Sequence, residues 1–121
     1  MDQLLLGIAP VLPSSDIERD LSWYRDKTGF TPLFSDKMYA VLIRENLSIH
    51  LQWHADTDDD PLLGGSVIRI FTQNIKPLFE EFVSRGTIEK ESLRIKTAWN
   101  TNEFGFYDLN KNALFIVEDL D

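Results

Sequence analysis

Residues 4–12, LLLGIAPVL, form an apolar run, and a helix with its own start signal follows at residue 15. Strand-like segments come next and end near Trp53. The same order then recurs, because residues 67–71 are again apolar, residues 75–85 again show an amphipathic pattern, and strand-like segments close the chain. This repetition predicts an α+β fold of two βαβββ modules that form curved mixed sheets around a cleft. The predicted modules span about residues 1–60 and 61–121 of a single domain.

The composition excludes several classes of protein. At 121 residues the chain supports one core, and its 43% apolar and 26% charged residues are ordinary for a globular domain. No apolar run approaches the roughly 20 residues that cross a bilayer, and the first residues lack the features of a signal peptide. With no cysteine, the chain has no disulfide, no thiolate metal site and no cysteine nucleophile. We therefore expect a cytoplasmic protein with no membrane partner.

The formal net charge is −8, from 20 acidic and 12 basic residues. Such a field repels nucleic-acid phosphates and anionic membranes, and it attracts cations. Part of the charge lies in residues 56–60 and part in residues 118–121, and such runs are typical of a solvated loop and tail. We expect no nucleic-acid partner.

Start and stop signals locate both helices. Ser15 and Glu18 fit a Ser-x-x-Glu capping box, and Gly29 predicts the end of the first helix. The second helix has Pro77 in its first turn and Gly86 just after its end. Its apolar residues, at positions 75, 78, 79, 82 and 83, follow helical spacing. Both apolar stripes predict core packing and not a surface for a partner.

The clearest strand is predicted at residues 47–53, where apolar and polar side chains alternate strictly. If the apolar face packs on the helices, Ser48, His50 and Gln52 face the cleft. Residues 39–43 are apolar throughout, which is typical of a strand covered on both faces. The other predicted strands are residues 30–34, 93–97, 104–109 and 113–117.

Arg69 lies within the apolar segment VIRIF, on the same strand face as Val67 and Phe71. A charged side chain in such a segment must reach solvent, a ligand or a carboxylate, because burying it unpaired costs too much free energy. Glu103 is a candidate for that carboxylate. A structural Arg69–Glu103 pair, a simple edge position and a ligand contact all remain open.

Two histidines and one tryptophan are further candidates for a site. His50 and His54 lie about 13 Å apart on a strand, too far to share one metal ion. His50 alone is more typical of a hydrogen-bonded polar residue than of a metal ligand. Trp99 stands in the polar, loop-like segment 98–102, and it is either a lid over the core or a stacking surface for a ligand. The sequence contains no Gly-rich phosphate loop, Ser/His/Asp motif or nucleophile elbow.

These residues together resemble the vicinal oxygen chelate superfamily, which is also called the glyoxalase/bleomycin-resistance/dioxygenase superfamily. The matching segments are residues 8–13, 15–19, 23–30, 49–51, 75–86, 99, 103–104 and 108–112. The Pro-Val-Leu opening at residues 10–12 looks most like the bleomycin-resistance branch, whose members are dimeric binding proteins rather than enzymes. The resemblance implies a bacterial antibiotic-resistance protein that forms a homodimer, with Pro10 near the subunit interface.

The metal-dependent enzymes of this superfamily place one ligand on each of four strands. By resemblance, these positions fall on Ala9, His50, Val67 and Phe115. Only His50 offers a donor atom, and one imidazole does not hold a divalent ion against water. The resemblance therefore implies a protein without a metal, a cofactor or catalytic residues.

The binding proteins of the branch hold a bulky, planar, cationic drug in a cleft at the dimer interface. By resemblance, Phe34, Tyr39 and Trp99 match its aromatic wall, and Gln52 matches a polar position in the cleft. Arg69 departs from the branch pattern, which suggests a guest with an anionic or carbonyl group. The predicted ligand-binding residues are Phe34, Tyr39, His50, Gln52, Arg69, Trp99 and Glu103.

The sequence thus favours a metal-independent protein that binds a small molecule, such as an aromatic or cationic antibiotic of the bleomycin type. The alternative is a metal-dependent isomerase, lyase or thiol transferase of the same superfamily with an atypical site. A dimeric accessory domain without any ligand is a third hypothesis.

Overall fold

The chain folds into two small mixed sheets, and one helix packs against each of them. The structure is a computed structural model that describes residues 3–121. Its elements are, in chain order, β1 (Val11–Ser14), α1 (Ile17–Thr28), β2 (Thr31–Ser35), β3 (Tyr39–Arg44), β4 (Leu47–Trp53), β5 (Val67–Phe71), α2 (Ile75–Ser84), β6 (Thr101–Tyr107) and β7 (Ala113–Asp119), with a short 3-10 helix at Lys90–Ser92. The predicted α+β fold is confirmed, whereas the division into modules near residue 60 stays a prediction.

The two sheets repeat one topology. The first has the strand order β1-β4-β3-β2, and the second has the order β5-β7-β6. In each sheet the first strand runs parallel to the last one, because β1 pairs with β4 and β5 pairs with β7. The remaining pairs are antiparallel. The second sheet therefore matches the first, except that it lacks one edge strand.

The prediction of a strand at residues 93–97 is wrong. This segment makes one isolated bridge, in which Arg94 and Glu103 exchange two backbone hydrogen bonds of 2.8 and 2.9 Å. Lys96 has a positive φ of 52°, which is incompatible with an extended strand. One consequence is that the outer edge of β6 is covered only at its beginning.

The predicted capping box at Ser15 is also wrong by one residue. Asp16 is the N-cap of α1, and its Oδ1 accepts the backbone N–H of Arg19 at 3.1 Å. Ser15 instead contacts Asn110, since its Oγ lies 3.2 Å from the Asn110 Oδ1. Aspartate caps a helix as well as serine does, so the local sequence permits either residue and the distant contact decides. Gly29 ends the helix at a φ of 77°, as predicted.

The second helix follows its prediction closely. Asn74 caps it by accepting the N–H of Lys76 at 3.3 Å, and Pro77 lies in the first turn. Gly86 adopts a φ of 77° just after the end. The predicted apolar stripe packs into a core cluster with Ile88, Phe104 and Ile116. No helix among residues 3–121 is long and apolar enough to cross a lipid bilayer.

Most of the core lies on one face of each sheet, although Val117 and Glu103 on the other face of the second sheet are also buried. In β3, Ala40 and Leu42 are fully buried under α1, but Tyr39, Val41 and Ile43 on the other face are half-buried. The prediction that this strand is covered on both faces is therefore wrong. No helix within residues 3–121 packs on this second face of β3, so its apolar side chains remain there for another surface to cover.

Candidate functional site

In the second sheet, an ion pair joins two of the predicted ligand-binding residues, Arg69 and Glu103. The Arg69 Nη2 donates to Glu103 Oε1 at 3.0 Å, and Nη1 lies 3.4 Å from Oε2. Arg69 is on β5 and Glu103 is on β6, with β7 between them. The carboxylate is almost fully buried, whereas the guanidinium keeps about a third of its exposure. Of the three alternatives left open for Arg69, the structural pair with Glu103 is present, and Arg69 can still reach a ligand.

Two further groups hold the same carboxylate. The indole Nε1 of Trp99 donates to Glu103 Oε1 at 2.8 Å, and the Thr101 hydroxyl donates to it at 2.7 Å. Burial alone would raise the pKa of Glu103. Hydrogen bonds from Arg69, Thr101 and Trp99, together with the charge of Arg69, outweigh the burial and lower the pKa to about 2. Glu103 is therefore an ionised anchor at neutral pH.

Trp99 is an exposed ring in a fixed position. Its side chain is 55% exposed although its N–H is held by the buried Glu103. Trp99 was interpreted as either a lid over the core or a stacking surface for a ligand. An exposure of 55% does not fit a lid over the core. An indole face that is open to solvent can stack on a flat ligand.

Phe115 extends the aromatic surface beside this anchor. The guanidinium of Arg69 lies 5.6 Å from the centre of the Phe115 ring, within range of a cation–π interaction. The ring crosses β6 at Gly105, where an added Cβ would lie 2.6 Å from two ring atoms. Glycine is thus required because the ring approaches the backbone so closely.

The predicted residues of the first sheet form a second, separate group. The Tyr39 hydroxyl and His50 Nδ1 lie 2.7 Å apart, and their rings meet edge to face at 5.5 Å. Gln52 is the cross-strand partner of Tyr39, and Phe34 is exposed on β2. Within residues 3–121 no hydrogen bond, ion pair or ring contact joins this group to the Arg69–Glu103–Trp99 group. The structure therefore divides the predicted set between two sheets.

The positions to which the resemblance assigns metal ligands hold mostly hydrocarbon side chains. Val67 and Phe115 lie on neighbouring strands of the second sheet, and His50 lies on the first. Across residues 3–121 no three His, Cys, Asp or Glu side chains come together as a group that could hold a metal ion. The arrangement can stack on a flat ring and donate hydrogen bonds to it.

Two open cavities adjoin these surfaces. A groove of about 710 Å³ runs between residues 6–10, residues 46–49 and residues 68–71. A smaller pocket of about 410 Å³ lies on the second sheet, and it is bounded by Arg94, Glu103, Gly105, Tyr107 and Phe115 among others.

Of the residues that line this smaller pocket, sequence reasoning predicted only Glu103 as a ligand-binding residue. Arg94, Gly105 and Tyr107 were not singled out, and Phe115 was considered only as a position unable to bind a metal. Gly105 carried a usable signal, because a glycine inside a strand often marks a close approach of another group. The ligand contacts of all seven predicted site residues stay predictions.

Comparison with known proteins places the chain beside bleomycin-binding proteins. No family model matches the sequence. A bleomycin resistance protein from Geobacillus stearothermophilus is 24% identical over 130 residues, which covers 96% of this chain and 98% of that protein. A Staphylococcus aureus bleomycin resistance protein matches with the same values.

Solved structures show the same fold. A bleomycin resistance determinant encoded on the transposon Tn5 matches with a TM-score of 0.77 at 20% identity, covering 95% of this chain and 98% of that one. A bleomycin-binding protein complexed with bleomycin matches with a TM-score of 0.78 at 20% identity, covering 95% and 99%. A glyoxalase/bleomycin resistance protein/dioxygenase from Nocardioides matches with a TM-score of 0.77 at 15% identity, covering 100% and 87%. The predicted resemblance to this superfamily and to its bleomycin-resistance branch is confirmed.

Proposed function

We propose that this protein binds and sequesters a small aromatic molecule, such as an antibiotic of the bleomycin type, without changing it chemically. The observation that carries the proposal is the exposed indole of Trp99, held by its hydrogen bond to buried Glu103. A side chain that is ordered before binding loses little conformational entropy when a ligand stacks on it. Relatives named bleomycin resistance proteins, and a solved bleomycin complex of the same fold, support this class of guest.

Binding without a metal agrees with the side chains at the four enzyme positions. Ala9, Val67 and Phe115 have no donor atoms, and one ring nitrogen of His50 already faces the Tyr39 hydroxyl. We therefore favour a binding protein over an isomerase, lyase or thiol transferase of the superfamily.

We place the binding cleft between the two copies of a homodimer. Residues 3–10 form an arm outside the helices and strands, in which Leu4, Leu5, Leu6 and Ile8 are 84–98% exposed. So much apolar surface marks an interface in a folded protein. The arm borders the groove of about 710 Å³, where Phe71 is also exposed. The Pro10 carbonyl accepts the N–H of His50 at 2.9 Å, so the arm leaves the first sheet at this proline.

The binding test is a titration of the protein with metal-free bleomycin and with a panel of other aromatic drugs. Tryptophan fluorescence and calorimetry measure the binding. We expect saturable binding and recovery of the drug unchanged. Trp99→Ala removes the stacking ring and should weaken binding roughly tenfold. Leu63→Ala is the control, because it also removes an exposed apolar side chain but lies on the loop between β4 and β5.

Failure of every drug in the panel to bind would contradict sequestration. Stoichiometric Zn, Ni, Mn or Fe in the purified protein, released by His50→Ala, would instead support the enzyme hypothesis. Light scattering tests the dimer: the full chain should have twice the mass of one subunit, and deletion of residues 2–8 should yield monomers. The cytoplasmic location and the bacterial origin stay predictions.

A further inference from the structure

The outer edge of β6 is half paired and half open. In an antiparallel ladder, the backbone groups of alternate residues point to opposite sides of the strand. Glu103 exchanges hydrogen bonds with Arg94 on the outer side, and the Thr101 carbonyl accepts the N–H of Thr97 there. Gly105 and Tyr107 are the next two residues that point outward. Among residues 3–121, no backbone or side-chain hydrogen bond reaches their outward N–H and C=O groups.

The open edge results from the missing strand of the second sheet. In the first sheet, β2 pairs along β3 from Ile43 to Ala40 and covers the corresponding edge. In the second sheet, residues 93–97 provide a single bridge and then turn away. Proteins usually protect exposed strand edges with lysine, proline or a bulge. The sequence of β6, TNEFGFY, contains no lysine and no proline.

The pocket of about 410 Å³ lies directly against this edge. Tyr107 is 70% exposed at one end, and the Phe115 ring covers Gly105 in the middle. Arg94 also lines the pocket, and its exposed guanidinium has no ion-pair partner within residues 3–121. The pocket is therefore lined by the open strand edge at Gly105 and Tyr107, by the rings of Tyr107 and Phe115, and by the cation of Arg94.

The geometry points to an amide-binding edge: the outward N–H and C=O groups of Gly105 and Tyr107 pair with an extended amide chain of the guest. An aromatic part of the guest other than the ring that stacks on Trp99 then packs on Phe115 and Tyr107, and its acyl or carboxylate end faces Arg94. Pairing with a strand edge supplies main-chain hydrogen bonds, while neighbouring side chains supply selectivity. This inference rests on the proposed function and narrows its guest to aromatic compounds that contain peptide-type amides.

Amide hydrogen exchange, measured residue by residue by NMR, tests the inference on the full-length protein. Metal-free bleomycin, a glycopeptide, should slow exchange at Gly105 and Tyr107 by roughly tenfold. Exchange at Phe104 and Phe106 should not change, because these residues already pair with β7. An aromatic peptide amide should likewise bind more tightly than its ester analogue, which lacks one N–H.

A pair of variants isolates the edge hydrogen bond. Tyr107→Val removes the ring and keeps the backbone N–H, whereas Tyr107→Pro removes both, and an edge position tolerates proline. Bleomycin should bind the proline variant roughly three- to tenfold more weakly than the valine variant. Circular dichroism checks that both fold, and if the proline variant does not, the exchange data from the unmodified protein decide.

The possible failures are distinguishable. If aromatic drugs bind but Gly105 and Tyr107 exchange as before, the amide-binding edge is refuted and sequestration stands. If these two amides are already protected without a drug, in a manner that depends on protein concentration, a second copy occupies the edge and the inference is again refuted. If no drug binds at all, the proposed function and the inference fall together.

Discussion

The indole nitrogen of Trp99 lies 2.8 Å from the Glu103 carboxylate, so an exposed aromatic ring is held by a buried charge. The same carboxylate holds Arg69, which in turn lies over the Phe115 ring. One ionised group therefore fixes the positions of Trp99 and Arg69 on the surface of the second sheet that we propose for binding.

The Glu103 anchor should make stability depend on pH in the acid range. Its pKa in the folded protein is about 2, below the ordinary value of 4.5. Its stabilising effect is thus fully present above pH 4.5 and is lost as the pH falls from 4.5 towards 2. Urea unfolding at several pH values should show Glu103→Gln less stable than the original protein at neutral pH, with the difference shrinking over this window. A difference independent of pH would contradict the assignment, and the exposed Glu80→Gln serves as the control.

Gly105→Ala should destabilise the protein because its Cβ would lie 2.6 Å from Phe115 ring atoms. We expect the free energy of unfolding to fall by about 1–3 kcal/mol, as for other overpacking substitutions. The double variant with Phe115→Ala should lose this effect of Gly105→Ala, since the ring is gone. Phe115→Ala alone is the reference for this comparison, because it removes the ring without adding a Cβ at Gly105. Additive effects of the two substitutions would show that the ring is not the obstacle.

Glu81 should couple α2 to the first sheet. It accepts hydrogen bonds from Arg44 at 2.7 and 2.8 Å and from Arg85 at 2.7 Å, and Arg44 also donates to the Thr28 carbonyl at 2.7 Å. Glu81→Gln should lower the free energy of unfolding by about 1–2 kcal/mol, measured by chemical denaturation. Asp26→Asn breaks only an exposed pair with Arg25 and should change it by less than about 0.5 kcal/mol. Equal effects of the two substitutions would argue against a special role for Glu81.

Tyr24→Phe should lower the stability of the protein, because it removes a buried hydrogen bond between α1 and the β6–β7 turn. The Tyr24 hydroxyl donates to Asp108 Oδ2 at 2.6 Å, and both side chains are buried. Burial and the neighbouring Asp108 carboxylate raise the pKa of Tyr24, so the hydroxyl keeps its proton. Its removal should cost about 2 kcal/mol in thermal or urea unfolding, whereas Tyr107→Phe at an exposed position should cost almost nothing. A loss below that of Tyr107→Phe would contradict this account.

Much of the fold could be predicted because its signals are local. The alternation in β4, the apolar stripe of α2 and the glycines at both helix ends all depend on residues within a few positions of each other. The prediction of a strand at residues 93–97 failed because nothing in its apolar residues indicates the positive φ at Lys96. The predicted N-cap of α1 was wrong because Ser15 and Asp16 are equally good capping residues.

The candidate site was predictable only in part. Arg69 stood out because a charge within an apolar strand needs a partner, and Glu103 is that partner. The sequence could not show that Phe115 crosses Gly105 or that Arg94 meets Glu103, because these contacts depend on strand register.

By itself, the sequence determined the order of the two helices and of most strands, and the faces that the helices bury in the core, since these follow from periodicity. The lack of donor atoms at Ala9, Val67 and Phe115 follows from residue type, whereas only the resemblance links these positions to metal ligands. The tertiary structure alone decided the cap of α1 and the open edge of β6. Ser15 meets Asn110 across 95 positions of the chain. The outer side of Gly105 has no hydrogen-bond partner within residues 3–121, because the segment after Arg94 turns away. Such features arise from contacts between distant residues, which no local pattern encodes.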